Sequence, residues 1–164
     1  MIKARLHKSW NENFSETKVR IVKNVINWSF DYYDLRDKNH TIDFYAVEKL
    51  ESIITDSTKT VAGRYIPIRK NKSEIHINCN MPLFVIIQTL FHEITHLKHV
   101  LKHDICFTPY GKSWRGTKYP DVSNMSYKDY LELPDEKDAR KQEINMLIKW
   151  SWEQIVNKLT FWRK

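Results

Sequence analysis

The segment with the most specific chemistry is His92-Glu93-Ile94-Thr95-His96. Two imidazoles four residues apart leave the same face of a helix, one turn from each other, and can grip a single metal ion. The glutamate beside the first of them is long enough to reach a water held by such an ion without becoming a ligand itself. A chain of this composition produces the H-E-x-x-H pattern by chance only about 0.02 times. Leu90, Phe91 and Ile94 are available to pack the opposite side of the same helix.

Catalytic zinc needs a third protein ligand and an open position. His99 and His103 extend the His92/His96 stripe, but His92 and His99 stand about 10.5 Å apart along a helix axis, an awkward span for one tetrahedral centre. Glu136 and Asp138, near the start of a helix after Pro134, are better placed on a second element. The same acids also suit a helix N-terminus with no metal nearby, because they complement its dipole. The residues alone leave those two readings open.

The elements that must position these groups follow from periodicity. Val19, Val22, Ile26, Phe30 and Tyr33 recur at helical spacing and predict a helix over 19–33. Short strands are predicted around Ile42–Ala46, Val61–Ile68 and Glu74–Asn78. The last runs into a helix over about 82–102, with Asn80 as a candidate cap and Pro82 in its first turn. Residues 104–134 hold Pro109, Gly111, Gly116, Pro120 and many aromatic rings without a sustained period, so short turns or a hairpin pinned by those rings are expected. A C-terminal helix over about 135–160 carries the stripe Ile144, Ile148, Ser151, Ile155, Leu159 and Trp162, expected to bury one face. The expected class is α+β: an N-terminal helix, a small and mostly antiparallel sheet, the motif helix and a downstream glutamate helix, in a single domain over 1–164.

Composition bounds the rest. With 164 residues, 41% hydrophobic and 13% aromatic, and only three Gly and five Pro, the chain is neither disordered nor fibrous. Its net charge of +7 is spread rather than gathered in a tail, so a nucleic-acid partner is the less favoured expectation. Two cysteines build no disulfide framework. Neither an apolar leader nor a membrane-length apolar run is present in the sequence, and a cytoplasmic protein without a membrane partner is expected.

Pro134-Asp135-Glu136-Lys137-Asp138-Ala139-Arg140, downstream of His92-Glu93-Ile94-Thr95-His96, resembles the E-x-E-A signature that follows H-E-x-x-H in ImmA/IrrE-like zinc metallopeptidases and in related small metallopeptidases of phages and mobile elements. The resemblance covers roughly residues 60–145. It implies a zincin-like minimal metallopeptidase of gluzincin type, with zinc held by His92, His96 and a downstream carboxylate, and Glu93 as general base acting on a peptide or protein substrate. Asp138 stands where that family usually has glutamate; Glu136 is the expected ligand and Asp138 its alternative. SprT-like metallopeptidases share the first motif but take a further downstream histidine, and none follows His103. Tyr110, Tyr119, Tyr127 and Tyr130, and less so His103, are candidates for stabilising an oxyanion. Strand 74–78 is expected at the sheet edge, where a peptide could add as a strand. The alternative function is a catalytically silent zinc-site module that contacts a protein or nucleic acid.

Overall fold

The computed structural model describes residues 1–52, 60–108, 111–119, 122 and 125–161, with side chains of the last helix described through residue 157. Strand β1 (Lys3–Leu6) leads through helices α1 (Ser9–Asn13) and α2 (Glu16–Tyr32) to β2 (Thr41–Val47). Strands β3 (Gly63–Arg69) and β4 (Lys72–Asn78) precede the motif helix α3 (Leu83–Leu101). The segment 104–134 supplies β5 (Ile105–Thr108), β6 (Gly111–Trp114), β7 (Thr117–Lys118) and the short helix α4 (Tyr127–Glu132), before α5 (Pro134–Phe161). The class is α+β, and the expected turns of 104–134 are a three-stranded antiparallel sheet followed by α4.

The main sheet has the order β1-β2-β4-β3. It is mixed rather than mostly antiparallel: β1–β2 and β2–β4 are parallel, and β3–β4 is antiparallel. The reason lies in α1 and α2, which carry the chain back to the starting end between β1 and β2, as a parallel neighbour requires. A second correction concerns the edge. Strand 74–78 belongs to β4, which is interior, and the edge beside it is β3. Pro67 fits that position, since an edge strand tolerates a residue that cannot donate to a ladder.

Alternation decides which face of the sheet is covered. Ile42, Phe44 and Ala46 of β2 and Ile75 and Ile77 of β4 are buried with Val22, Ile26 and Phe30 of α2 and with Ile86, Leu90, Phe91, Ile94 and Leu97 of α3. Each such side chain contributes about 1.5–3 kcal/mol of transfer free energy. Trp10 anchors α1 to the same core and donates its Nε1–H to the Phe44 carbonyl at 3.0 Å. Asn80 does not cap α3, which has Pro82 at its N-cap; the Asn80 side chain donates to the Glu48 carbonyl instead. No helix among the described residues is long and apolar enough to cross a membrane.

The stripe expected to bury α5 behaves otherwise. Ile144, Ile148 and Ile155 are 52%, 65% and 51% exposed, whereas Ala139 and Met146 are buried and Leu147 and Trp150 pack against the core. The polar contacts set this rotation. Trp150 donates to Asn24 at 2.9 Å and Trp28 donates to Glu153 at 2.5 Å, fixing α5 against α2. The side chain of Leu159 and the residues 162–164, including Trp162, lie outside the described portion.

Gly63 allows β3 to approach α3 closely. A Cβ there would stand 2.4 Å from Thr89 Cγ2 and 3.1 Å from Glu93 Oε1. Gly63→Ala is therefore expected to lower stability by about 1–3 kcal/mol through overpacking, read from the urea midpoint. Thr89→Ser removes the obstructing methyl, so the double variant should recover part of that loss. Equal loss in the single and double variants would show that the Thr89 methyl is not what the glycine avoids.

Candidate metal centre

Helix α3 has apolar residues on the sides that meet the sheet and α2, and Tyr33, the C-cap of α2, hydrogen-bonds Thr95 at 2.7 Å. With those faces fixed, His92 and His96 share the remaining side. Their Nε2 atoms are 3.1 Å apart and their rings meet edge-on. Helix α5 brings Glu136 onto the same point: Oε2 lies 3.3 Å from His92 Nε2, and Oε1 lies 3.3 Å from His96 Nε2. His92, His96 and Glu136 form the group among the described residues able to hold a metal ion, with ligand atoms within 4.8 Å of one another.

The spacing is compatible with zinc. Ligands bonded at about 2.0–2.2 Å around a tetrahedral ion stand about 3.3–3.6 Å from each other; here the imidazole nitrogens are 3.1 Å apart and each lies 3.3 Å from a different oxygen of Glu136. Two imidazoles and one carboxylate are also a donor set that suits zinc. The residues present fit the ion.

Carboxylates stand behind both imidazoles. His92 Nδ1 lies 2.8 Å from Glu143 Oε2, and Gln88 donates to the other Glu143 oxygen at 2.9 Å. His96 Nδ1 lies 3.6 Å from Asp135 Oδ2. Asp135 is wholly buried, accepts from Tyr119 Oη at 2.5 Å and pairs with Lys112. Tyr130 donates to Glu136 Oε1 at 2.6 Å. A carboxylate hydrogen-bonded to the far ring nitrogen, as Glu143 is to His92, holds a ligand ring in one tautomer and orientation.

The electrostatics follow from these pairings. Burial pulls His92 down, yet its bonds to Glu136 and Glu143 outweigh that and push it up to about 10. Burial pushes Glu136 up, but His96 and His92 hold it well below the usual carboxylate range. Glu93 is raised, mainly by burial, while the two imidazoles and the Tyr65 backbone N–H oppose the shift. Desolvation first, and then its carboxylate neighbours, raise Tyr130.

A cavity of about 630 Å³ opens beside this cluster. Glu93, His92, His96 and Glu136 line it, with β3 along one wall and α4 and α5 along another. Asp138 is elsewhere: two residues beyond Glu136 it points around the helix, 3.5 Å from Lys98 Nζ and 2.9 Å from His99 Nε2. His99 is buried, contacts Asp104 at 3.0 Å and meets the Trp114 ring, so it joins α3, α5 and the 105–118 strands away from the triangle. Of the tyrosines, Tyr127 and Tyr130 line the cavity and Tyr119 is engaged by Asp135. Tyr110 lies outside the described residues, and His103 is exposed in the turn after α3.

Comparison with known proteins finds no family model, curated protein or solved structure that matches the chain.

Sequence reasoning missed Asp135, Glu143 and Gln88. A spacing signal existed for two of them. Glu143 follows Glu136 by seven residues, hence on the same helical face, and Gln88 precedes His92 by four. Asp135 had none, because its contacts come from Lys112 and Tyr119 across an irregular segment.

Glu143→Ala should weaken zinc binding by about 10–100-fold, measured by competition with a chromophoric chelator. Asp138→Asn should leave zinc affinity within about three-fold, since that residue is turned away from the triangle. A large loss in Asp138→Asn with none in Glu143→Ala would reverse the assignment.

Proposed function

We propose that this chain is a single-domain zinc-dependent peptidase of gluzincin type, with His92, His96 and Glu136 as ligands and Glu93 as general base. The observation that carries this reading is the His92/His96/Glu136 triangle, with Glu93 beside it on the wall of one open cavity. A chelating cluster sealed in a core would need neither that cavity nor a fourth carboxylate. When bound, zinc polarises a peptide carbonyl and brings the pKa of its water near about 7.

The chain's own groups do the rest. Glu93 accepts a proton from the attacking water as the carbon–oxygen bond forms and passes it to the leaving amine as the carbon–nitrogen bond breaks. Burial keeps its carboxylate poised for that exchange, because desolvation disfavours the charged form. Tyr130 positions Glu136, and Glu143 orients His92. The exposed edge of β3 offers main-chain groups along the cavity, so a peptide strand laid against it would be bound with little dependence on its sequence.

A peptide or protein is accordingly the substrate, and the resemblance to ImmA/IrrE-like enzymes and their mobile-element relatives favours a cytoplasmic setting. Free Cys79 and Cys106 suit a reducing compartment.

Glu93→Gln keeps the size and a hydrogen-bonding head but cannot take the proton. With zinc content and fold unchanged, cleavage of a proteome-derived peptide library, read by mass spectrometry, should fall by about 10²–10⁴-fold. Wild-type cleavage that persists in metal-loaded Glu93→Gln would defeat the mechanism. A library left intact by zinc-loaded wild type would favour the silent binding module.

A further inference from the structure

The cavity contains a cation that the proposed chemistry does not use. Arg140 lies one turn beyond Glu136 and three residues before Glu143 on α5, and all three line the same cavity. Its Nη2 donates to the Leu131 carbonyl. Its Nη1 is shielded from solvent and has no hydrogen-bond partner, and among the described residues no carboxylate pairs with the guanidinium. The other cavity cations are occupied differently. Lys112 is tied to buried Asp135, and Arg64 donates to the Glu51 carbonyl in an exposed position.

Val85, Ile105, Leu131 and Leu133 contribute apolar surface to the same cavity. A shielded N–H left unpaired is costly, and more so for a charged group, because it has given up water and received nothing in exchange. Arginine is always charged and presents a flat fork of donors, which matches a carboxylate better than any other common group. Glu143 makes its hydrogen bonds with Gln88 and His92 and forms no ion pair with Arg140. Arg140 lines the cavity without a carboxylate partner among the described residues, so a carboxylate that enters the cavity can supply its counter-charge.

We propose that Arg140 is a specificity-determining residue that receives a carboxylate of the bound peptide, next to the bond to be cleaved. This rests on the peptidase reading. The carboxylate has two sources, an acidic side chain or a free C-terminus, and both present the same planar pair of oxygens to the fork.

The test uses the full chain, zinc-loaded, as Glu93→Gln for binding and as wild type for cleavage. The probes are matched pools of fluorescently labelled, N-acetylated peptides carrying Glu or Gln at one fixed position, each with a free or amidated C-terminus. Anisotropy should show at least one carboxylate-bearing pool binding about ten-fold or more tightly than the Gln, amidated pool, the order of one charge-assisted hydrogen bond. The arm that carries the preference identifies the source. Introducing Arg140→Met should erase the ratio while zinc content is retained, and Arg140→Lys should keep part of it. If Arg140→Met fails to fold, Arg140→Gln, which keeps a polar head without the charge, takes its place and should likewise erase the ratio.

Equal binding of charged and neutral pools, a preference that survives Arg140→Met, or no binding by any pool would overturn the proposal. Discrimination without cleavage by wild type would keep the Arg140 site and defeat the peptidase reading. Cleavage indifferent to carboxylates would do the reverse.

Discussion

The contact between α3 and α5 brings four carboxylates into one poorly hydrated region, and the rest of the structure is arranged around that burden. Asp135, Glu136 and Glu93 are all buried, and the Glu143 side chain is nearly so. Charges taken out of water are destabilising unless each finds a partner. Asp135 finds Lys112 and Tyr119, Glu136 finds two imidazoles and Tyr130, and Glu143 finds His92 and Gln88. Glu93 has the weakest set, the Tyr65 backbone N–H and the two imidazole neighbours. A divalent cation held at the triangle would add a further partner for these carboxylates, which would couple metal binding to the stability of the α3–α5 contact.

Three parts of the fold hold that contact in place. The sheet and α2 fix the rotation of α3 by packing its apolar faces, which leaves the two histidines on the side toward α5. Trp28 and Trp150 then pin α5 to α2 through Glu153 and Asn24, so Glu136 arrives at one height on the neighbouring helix. The 104–134 segment completes the arrangement from outside. It delivers Lys112 and Tyr119 to Asp135 and Tyr130 to Glu136, and its Ile105, Phe107, Val122, Tyr127, Leu131 and Leu133 line the cavity. Two of the rings that lacked periodicity in the sequence, Tyr119 and Tyr130, serve this purpose. They reach buried carboxylates with their hydroxyls, which does not require a repeating pattern.

What was legible in the sequence was what local periodicity encodes. The motif helix and the α2 stripe were readable because their apolar residues repeat at helical spacing, the start of α5 because Pro134 is followed by Asp135 and Glu136, and the site in part because His92, Glu93 and His96 lie within about one turn. Placement of Glu136 rather than Asp138 on the cluster is a matter of helix rotation, 200° for two residues, and needed the packing of α5 to decide. The sheet was less legible. Its parallel β2–β4 pairing joins residues about thirty positions apart, and nothing within Glu74–Asn78 distinguishes an interior strand from an edge. The exposed Ile144, Ile148 and Ile155 mark the limit of the amphipathic argument. A stripe reports which face could be buried, whereas Ala139, Met146, Leu147 and Trp150 show which face meets α3 and α2.

The central claim is that His92, His96 and Glu136 together hold one zinc ion. Its most direct test is diffraction from crystals of the zinc-loaded protein, recorded on both sides of the zinc absorption edge. The account predicts one anomalous peak inside the triangle, bonded to His92 Nε2, His96 Nε2 and a Glu136 oxygen at about 2.0–2.2 Å. A stoichiometric zinc peak at His99 and Asp138, or anywhere else with the triangle empty, would contradict it.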